Sequence, residues 1–175
     1  MAARSLYLVR HAMALERDSW EGPDDLRPLS PAGWRQALAL AELLGSLAVR
    51  AHYSSPARRC RDTLLPLAHR LGQGVTADPQ LAEGIGGPGG DRARLLRELL
   101  SSLFVREALG GTLDGVTTCT HGDRIPQLLE GAGVSGSRRC PKGGVWRLDL
   151  GRDLDRVEGA VYLGRPGGDG GWDLS

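Results

Sequence analysis

A four-residue apolar run, Leu6-Tyr7-Leu8-Val9, stops abruptly at Arg10-His11. No other feature narrows the fold as much. Consecutive apolar residues of this length read as a buried strand, and a buried strand needs covering layers on both faces of its sheet. That is an α/β architecture, in which ligands bind at the carboxyl ends of the strands. Here that end carries a guanidinium and an imidazole side by side. Such a histidine can be a nucleophile, and its arginine neighbour can hold the anion it attacks.

The rest of the chain supplies matching elements. Residues 12–29 are polar and rich in Asp, Gly and Pro, and read as a loop, with Asp24-Asp25 a solvated feature of it. Ser30-Pro31 opens a helix as N-cap and first helical residue. This helix extends to about Gly45, with Trp34, Ala37, Leu38, Ala41 and Leu44 on one face. Ala51 to Ser54 is a second strand. Ser55-Pro56 repeats the capping signature before a helix to about Leu71, whose inner face carries Cys60, Leu64, Leu67 and Leu71. Val75 to Ala77 reads as a third strand. Gly84 to Gly90 is a flexible loop and a candidate lid. Asp91 caps a helix to about Leu109, Val116 to Thr120 is a β-branched strand, and Arg124 to Ala132 is helical. Val145 to Leu150 and Val157 to Leu163 alternate apolar and polar, as edge or antiparallel strands do. The expected fold is a three-layer α/β/α sandwich with a mainly parallel central sheet and an antiparallel edge. The expected organisation is one domain over residues 1–163, followed by a loose Gly-rich tail at 164–175.

Charge narrows the partners. Twenty-two Lys and Arg against 21 Asp and Glu leave a net charge of +1, which argues against a nucleic-acid coat or a membrane-surface protein. Lys142 is the sole lysine; the arginine excess fits a GC-rich coding sequence. Cys60, Cys119 and Cys140 form no CxxC pair and are odd in number, as expected of reduced thiols. No cleavable signal pattern and no run of about 20 apolar residues occurs. A cytoplasmic protein without nucleic-acid or membrane partners is expected. No feature sets an oligomeric state.

Three strand ends bring chemistry together. The first carries Arg10 and His11. The second leads through Ser54-Ser55 to a helix whose first turn holds Arg58 and Arg59. The strand at 116–120 presents His121 and Gly122. In a parallel sheet these ends share one edge, beside helix N-termini that favour anions. The sum is a pocket for a phosphoryl dianion. Phosphoryl transfer needs positioning and electrostatic stabilisation of the equatorial oxygens. The chain has no GxxxxGK[ST], no HExxH and no carboxylate cluster after a strand. Its four histidines lack paired ligand spacing, and His52 and His69 read as a strand residue and a helix-surface residue. No metal and no cofactor is therefore expected; arginines and one histidine would supply the charge while the other histidine attacks phosphorus.

With these residues assembled, the chain resembles the histidine phosphatase superfamily, the phosphoglycerate-mutase-like group. The resemblance rests on Leu8-Val9-Arg10-His11-Ala12, on Ser54-Ser55-Pro56-Ala57-Arg58-Arg59-Cys60-Arg61-Asp62-Thr63, on Leu81-Ala82-Glu83 and on Thr120-His121-Gly122. Arg27-Pro28-Leu29-Ser30-x-x-Gly33 resembles a stretch of the family's short branch. Among its members the chain looks most like the short SixA-type phosphohistidine phosphatases. It is also similar to the phosphatase-like C-terminal domain of actinobacterial MutT-type Nudix proteins, without a Nudix box before it.

The resemblance implies the following roles. His11 would be the nucleophile. Arg10, Arg59, His121 and the backbone near Gly122 would hold the phosphoryl oxygens. The register makes Arg59 rather than Arg58 the pocket arginine. Glu83 would protonate the leaving group and then activate water. Arg17, where mutase members often have asparagine, argues against mutase activity. The implied partner is a phosphohistidine protein or a phosphorylated small molecule such as a nucleotide or sugar phosphate. A non-catalytic phosphate-binding module on the same fold is the alternative.

Overall fold

A computed structural model describes residues 4–110, 115–151, 156–167 and 171–175, without the side chains of residues 105–110. The elements are β1 (Arg4–Arg10), α1 (Pro31–Gly45), β2 (Val49–Ser54), α2 (Arg58–Arg70), β3 (Thr76–Ala77), α3 (Arg92–Gly110), β4 (Gly115–Thr120), α4 (Arg124–Gly131), β5 (Val145–Leu150), β6 (Val157–Pro166) and β7 (Trp172–Asp173). Single 3-10 turns lie at Arg17–Ser19, Asp24–Leu26 and Pro79–Leu81. The strands form one mixed sheet in the order β3-β2-β4-β1-β5-β6-β7. β3, β2, β4 and β1 run parallel. The antiparallel part is more than an edge, because β5 pairs directly with β1 and is followed by β6 and β7.

β1 shows why its sequence is continuously apolar. Leu6 and Leu8 join a core with Leu99, Leu103 and Phe104 of α3 and Leu128 of α4. Tyr7 and Val9 point the other way, into a core with Leu40 and Leu44 of α1 and Leu64 and Leu67 of α2. Each face of the sheet is thus covered by a helix pair, and each such side chain stabilises the fold by roughly 1.5–3 kcal/mol on burial. The polar residue that follows has no place in either core, so the strand ends at the pocket.

Ser30 caps α1 as expected, its Oγ accepting from the Gly33 N–H at 3.1 Å. The inner face is shifted from the expected one. Trp34 and Leu38 are 36% and 58% exposed, whereas Gly33 and Gln36 face inward with Ala37, Leu40, Ala41 and Leu44. The cause is polar. A Cβ on Gly33 would lie 1.9 Å from the Met13 carbonyl oxygen, so only glycine lets that loop dock. Gln36 Oε1 accepts from the Met13 N–H at 3.0 Å. Apolar periodicity sees neither contact.

α2 begins at Arg58 with Ala57 in the capping position and no side-chain cap. Ser55, expected to cap it, is used elsewhere. Asp91 Oδ1 accepts from the Arg94 N–H at 3.0 Å and caps α3. Beyond Leu163 the expected loose tail is partly structured. β6 continues to Pro166, and Trp172–Asp173 pairs with Arg165 and Pro166. An Arg165–Asp173 ion pair at 3.1 Å fastens it. Residues 168–170 of that stretch lie outside the described ones. Among the described residues no helix is long and apolar enough to cross a membrane.

Candidate active site

The parallel register brings the chemistry to one edge. Arg10 lies beside Thr120 in the β1–β4 ladder, and Ser54 beside Cys119 in the β2–β4 ladder. The ladder continues one step further, with the His11 N–H donating to the Thr120 carbonyl at 3.0 Å and the Ser55 N–H to the Cys119 carbonyl at 2.9 Å. His11, Ser55 and His121 are thereby set on neighbouring strand ends. A cavity of about 440 Å³ opens there, lined by Arg10, His11, Arg17, Arg59, Glu83 and Lys142 among others.

The buried His11 ring is fixed in one tautomer. Its Nδ1 lies 2.8 Å from the Ala12 carbonyl oxygen. A carbonyl only accepts, so the proton sits on Nδ1 and Nε2 keeps its in-plane lone pair. Burial, opposed by that hydrogen bond and assisted by the charges of Arg59, His121 and Arg10, lowers the imidazole pKa from 6.5 to about 3. The Ala12 peptide is held in turn. Its N–H donates to Thr63 Oγ1 at 3.0 Å, and that hydroxyl donates to the Arg59 carbonyl at 2.7 Å. Thr63 thus ties the His11 loop to the first turns of α2.

Arg59 and Arg58 separate as the motif register implies. Arg58 is on the surface, paired with Asp62 at 3.3 Å. Arg59 is 1% exposed. Its Nη1 lies 3.1 Å from Asp24 Oδ2, and its Nη2 lies 3.0 Å from Glu83 Oε2. Asp24, expected to be a solvated loop residue, is ion-paired with the pocket arginine. Against the cost of its partial burial, Arg27, Arg59 and Arg17 hold its carboxyl below the ordinary value. Arg10 donates from Nη1 to the Cys140 carbonyl at 3.0 Å. Among the described residues the Nε groups of Arg10 and Arg59 are buried and have no hydrogen-bond partner.

His121 lies deeper, 1% exposed, with its ring 5.5 Å from that of His11 at 66°. Arg59 Nη2 approaches its Nδ1 at 3.4 Å. A guanidinium only donates, so that contact leaves the proton on Nε2, which donates to Ser55 Oγ at 2.8 Å. This is the use that removes Ser55 from capping α2. Glu83 Oε2 is 3.9 Å from the same Nδ1. Gly122 is explained by its neighbour: a Cβ there would sit 2.7 Å from Arg10 Cζ and Nη2.

The structure thus brings Arg10, His11, Arg59, Glu83, His121 and Gly122 together. Asp24, Ser55, Thr63 and Gln36 are supporting residues to which the sequence reading gave no part in the site. Of these, Thr63 and Ser55 stand inside the quoted motif, so a signal existed; Asp24 and Gln36 had none. His52 is buried in β2 against Thr117 and His69 is exposed on α2, both away from the pocket. The loop at 84–90 is tied back: Gly84 N–H donates to Asp123 Oδ2 at 2.8 Å, and Arg92 reaches the Gly86 and Gly87 carbonyls at 3.2 and 3.0 Å. Among the described residues no three His, Cys, Asp or Glu side chains are grouped to hold a metal ion, and all three cysteines are unbridged.

This sheet order, with a histidine and two guanidinium groups at the carboxyl edge of its parallel strands, is that of the phosphoglycerate-mutase-like fold. The chain belongs to the histidine phosphatase superfamily, whose branch 1 matches residues 6–98. A curated relative, the 8-oxo-(d)GTP phosphatase of Mycolicibacterium smegmatis, is 32% identical over 171 residues, taking in 93% of this chain and 49% of that protein. The chain therefore spans about half the length of that relative. The mycobacterial glucosyl-3-phosphoglycerate phosphatase solved with VO3 has a TM-score of 0.68 at 22% identity, covering 92% of this chain and 98% of its own. The protein histidine phosphatase SixA solved with tungstate has a TM-score of 0.65 at 16% identity, covering 97% of each chain. At these identities both structures speak for the fold alone.

Proposed function

We propose that the chain hydrolyses a phosphorylated substrate through a covalent phosphohistidine on His11. The observation that carries this reading is the hydrogen bond from His11 Nδ1 to the Ala12 carbonyl, which leaves Nε2 unprotonated on a ring that burial keeps neutral. In the first step the Nε2 lone pair attacks phosphorus; the P–N bond forms as the bond to the leaving oxygen or nitrogen breaks. Arg10 and Arg59 hold the equatorial oxygens. The Gly122 backbone N–H and His121, when its Nδ1 is protonated, add donors at the deep side.

The incoming dianion competes with Asp24 and Glu83 for Arg59. Both carboxylates are about half exposed, at 42% and 50%, and can swing away. Glu83, as the general acid, gives a proton to the leaving group. In the second step Glu83 accepts a proton from water, whose oxygen attacks phosphorus. The P–N bond breaks and His11 Nε2 recovers its lone pair. The proton stays on Nδ1, hydrogen-bonded to the Ala12 carbonyl, throughout. The positive charge at this site comes from side chains, so chelation with EDTA leaves turnover intact.

The test is hydrolysis of nitrophenyl phosphate. The wild-type chain turns it over, vanadate inhibits it, and His11→Ala abolishes it. Full turnover by His11→Ala refutes the nucleophile assignment. Two substrate classes suit this chemistry: the protein phosphohistidine named in SixA, and the nucleotide named in the mycobacterial relative. What lies beside the pocket favours one of them.

A further inference from the structure

A second cavity of about 490 Å³ adjoins the pocket, and five of its lining residues are cationic: Arg10, Arg138, Arg139, Lys142 and Arg165. Among the described residues none that lines it is acidic. The pocket at His11, in contrast, carries Glu16, Asp18 and Glu83 among its walls. Arg10 and Lys142 line both spaces, so the two adjoin and share one guanidinium and one ammonium. Arg165 has Asp173 as an ion-pair partner. Among the described residues Arg10, Arg138, Arg139 and Lys142 have no carboxylate partner.

The basic wall is held in shape. The Arg10 N–H donates to the Gly144 carbonyl at 3.0 Å, and the Gly143 N–H donates back to the Arg10 carbonyl at 3.1 Å. Trp146 Nε1 donates to the Arg139 carbonyl at 3.1 Å. Gln36 Nε2 reaches the Pro166 carbonyl at 3.3 Å and the Lys142 carbonyl at 3.5 Å. This buried glutamine therefore links the segment carrying Lys142 to the end of β6, next to Arg165. Arg138 Nε donates to the Val134 carbonyl at 2.9 Å.

Cations gathered in a concavity with little counter-charge among the described residues repel one another and focus a positive field. A single phosphoryl group at His11 engages Arg10 and Arg59 and leaves Arg138 and Arg139 unanswered. We infer that the second cavity binds a further phosphoryl group of the same substrate, so that the substrate class is a polyphosphorylated small molecule such as a nucleoside diphosphate or triphosphate. The terminal phosphoryl lies at His11, Arg10 bridges it to its neighbour, and that neighbour faces Lys142, Arg138 and Arg139. A concave space of this volume suits a small ligand. The inference rests on the reading of His11 as a phosphatase site.

The experiment is calorimetric binding of orthophosphate and pyrophosphate to the full chain and to R138Q/R139Q, with kcat/KM for adenosine diphosphate and monophosphate alongside. Pyrophosphate is expected to bind at least roughly tenfold tighter than orthophosphate, the return of one charge-assisted contact. The diphosphate is expected to lead by a similar factor, mainly through KM. In R138Q/R139Q both advantages fall below about threefold. R139Q alone serves if the double variant does not fold, because the Arg139 side chain makes no hydrogen bond or ion pair among the described residues. Equal binding of the two anions by the wild type, or an advantage the variants keep, overturns the inference and leaves the His11 reading standing. Absence of vanadate-sensitive hydrolysis overturns both. A phosphohistidine protein that loses kcat/KM in R138Q/R139Q while pyrophosphate binding holds assigns the cavity to a protein partner and overturns the small-molecule assignment.

Discussion

Substituting Gly122 by alanine should slow the enzyme while sparing the fold. The new Cβ would lie 2.7 Å from Arg10 Cζ and Nη2 and 3.0 Å from Nε. Ordinary carbon contact requires the guanidinium to retreat by about 1 Å. That retreat strains the 3.0 Å hydrogen bond from Nη1 to the Cys140 carbonyl and shifts the donors that face the phosphoryl group. Loss of one charge-assisted contact is worth about 1.5–3 kcal/mol, or roughly 10- to 100-fold in kcat/KM. The atoms displaced are the tip of a flexible side chain, so unfolding free energy should change by about 1 kcal/mol or less. The assay is nitrophenyl phosphate turnover by the wild type, Gly122→Ala, Arg10→Ala and the double variant, with urea unfolding of each. If Gly122 acts through Arg10, the double variant is no slower than Arg10→Ala. Undiminished activity of Gly122→Ala, or penalties that multiply in the double variant, would refute the reasoning.

Other consequences follow from the same contacts. His11 takes up its proton near pH 3 when folded and near 6.5 when unfolded, so between those values the unfolded chain binds more protons. Stability therefore falls with acidification by up to about 1.4 kcal/mol per pH unit; urea unfolding from pH 6.5 to 4 should show a shallower slope in His11→Asn, and equal slopes would contradict the burial account. Thr63→Val leaves the buried Ala12 N–H unsatisfied and should cost about 1–3 kcal/mol in urea unfolding, with slower turnover as the His11 loop loosens. Arg59→Ala should lower kcat/KM at least roughly tenfold, and a change below about twofold would mean that another arginine binds the phosphoryl group. Glu83→Gln should slow alkyl esters more than nitrophenyl phosphate, because only the poor leaving group needs a proton in the first step while the second step is common to both; negligible effects on both would remove Glu83 from the mechanism.

Particular residues show what sequence could and could not carry. β1 was legible because four apolar residues before a polar pair admit few placements in a covered sheet. Arg59 became legible only in the register of a motif; local pattern offers no reason to prefer it to Arg58, yet one is buried at the pocket and the other exposed. α1 was found with its ends correct and its face misplaced, since Gly33 and Gln36 point inward for polar and steric reasons that no apolar period encodes. Ser55 carries a capping signature and serves His121 instead. Asp24 sits in a loop of acidic and basic residues where nothing local distinguishes it. Its place beside Arg59 is set by how the 12–29 segment folds over α2. The strand past Leu163 was hidden behind Gly164 and Pro166, which punctuate most sequences and here fall where β6 passes from β5 to β7.

The most direct measurement is mass spectrometry of the enzyme quenched in alkali during turnover, conditions that suit an acid-labile P–N bond. The account predicts a phosphoryl adduct on the peptide carrying His11, absent from His11→Ala and more abundant in Glu83→Gln with nitrophenyl phosphate, where the second step is slowed. An adduct on another residue, or turnover without any adduct on His11 under conditions that trap Glu83→Gln, would contradict it.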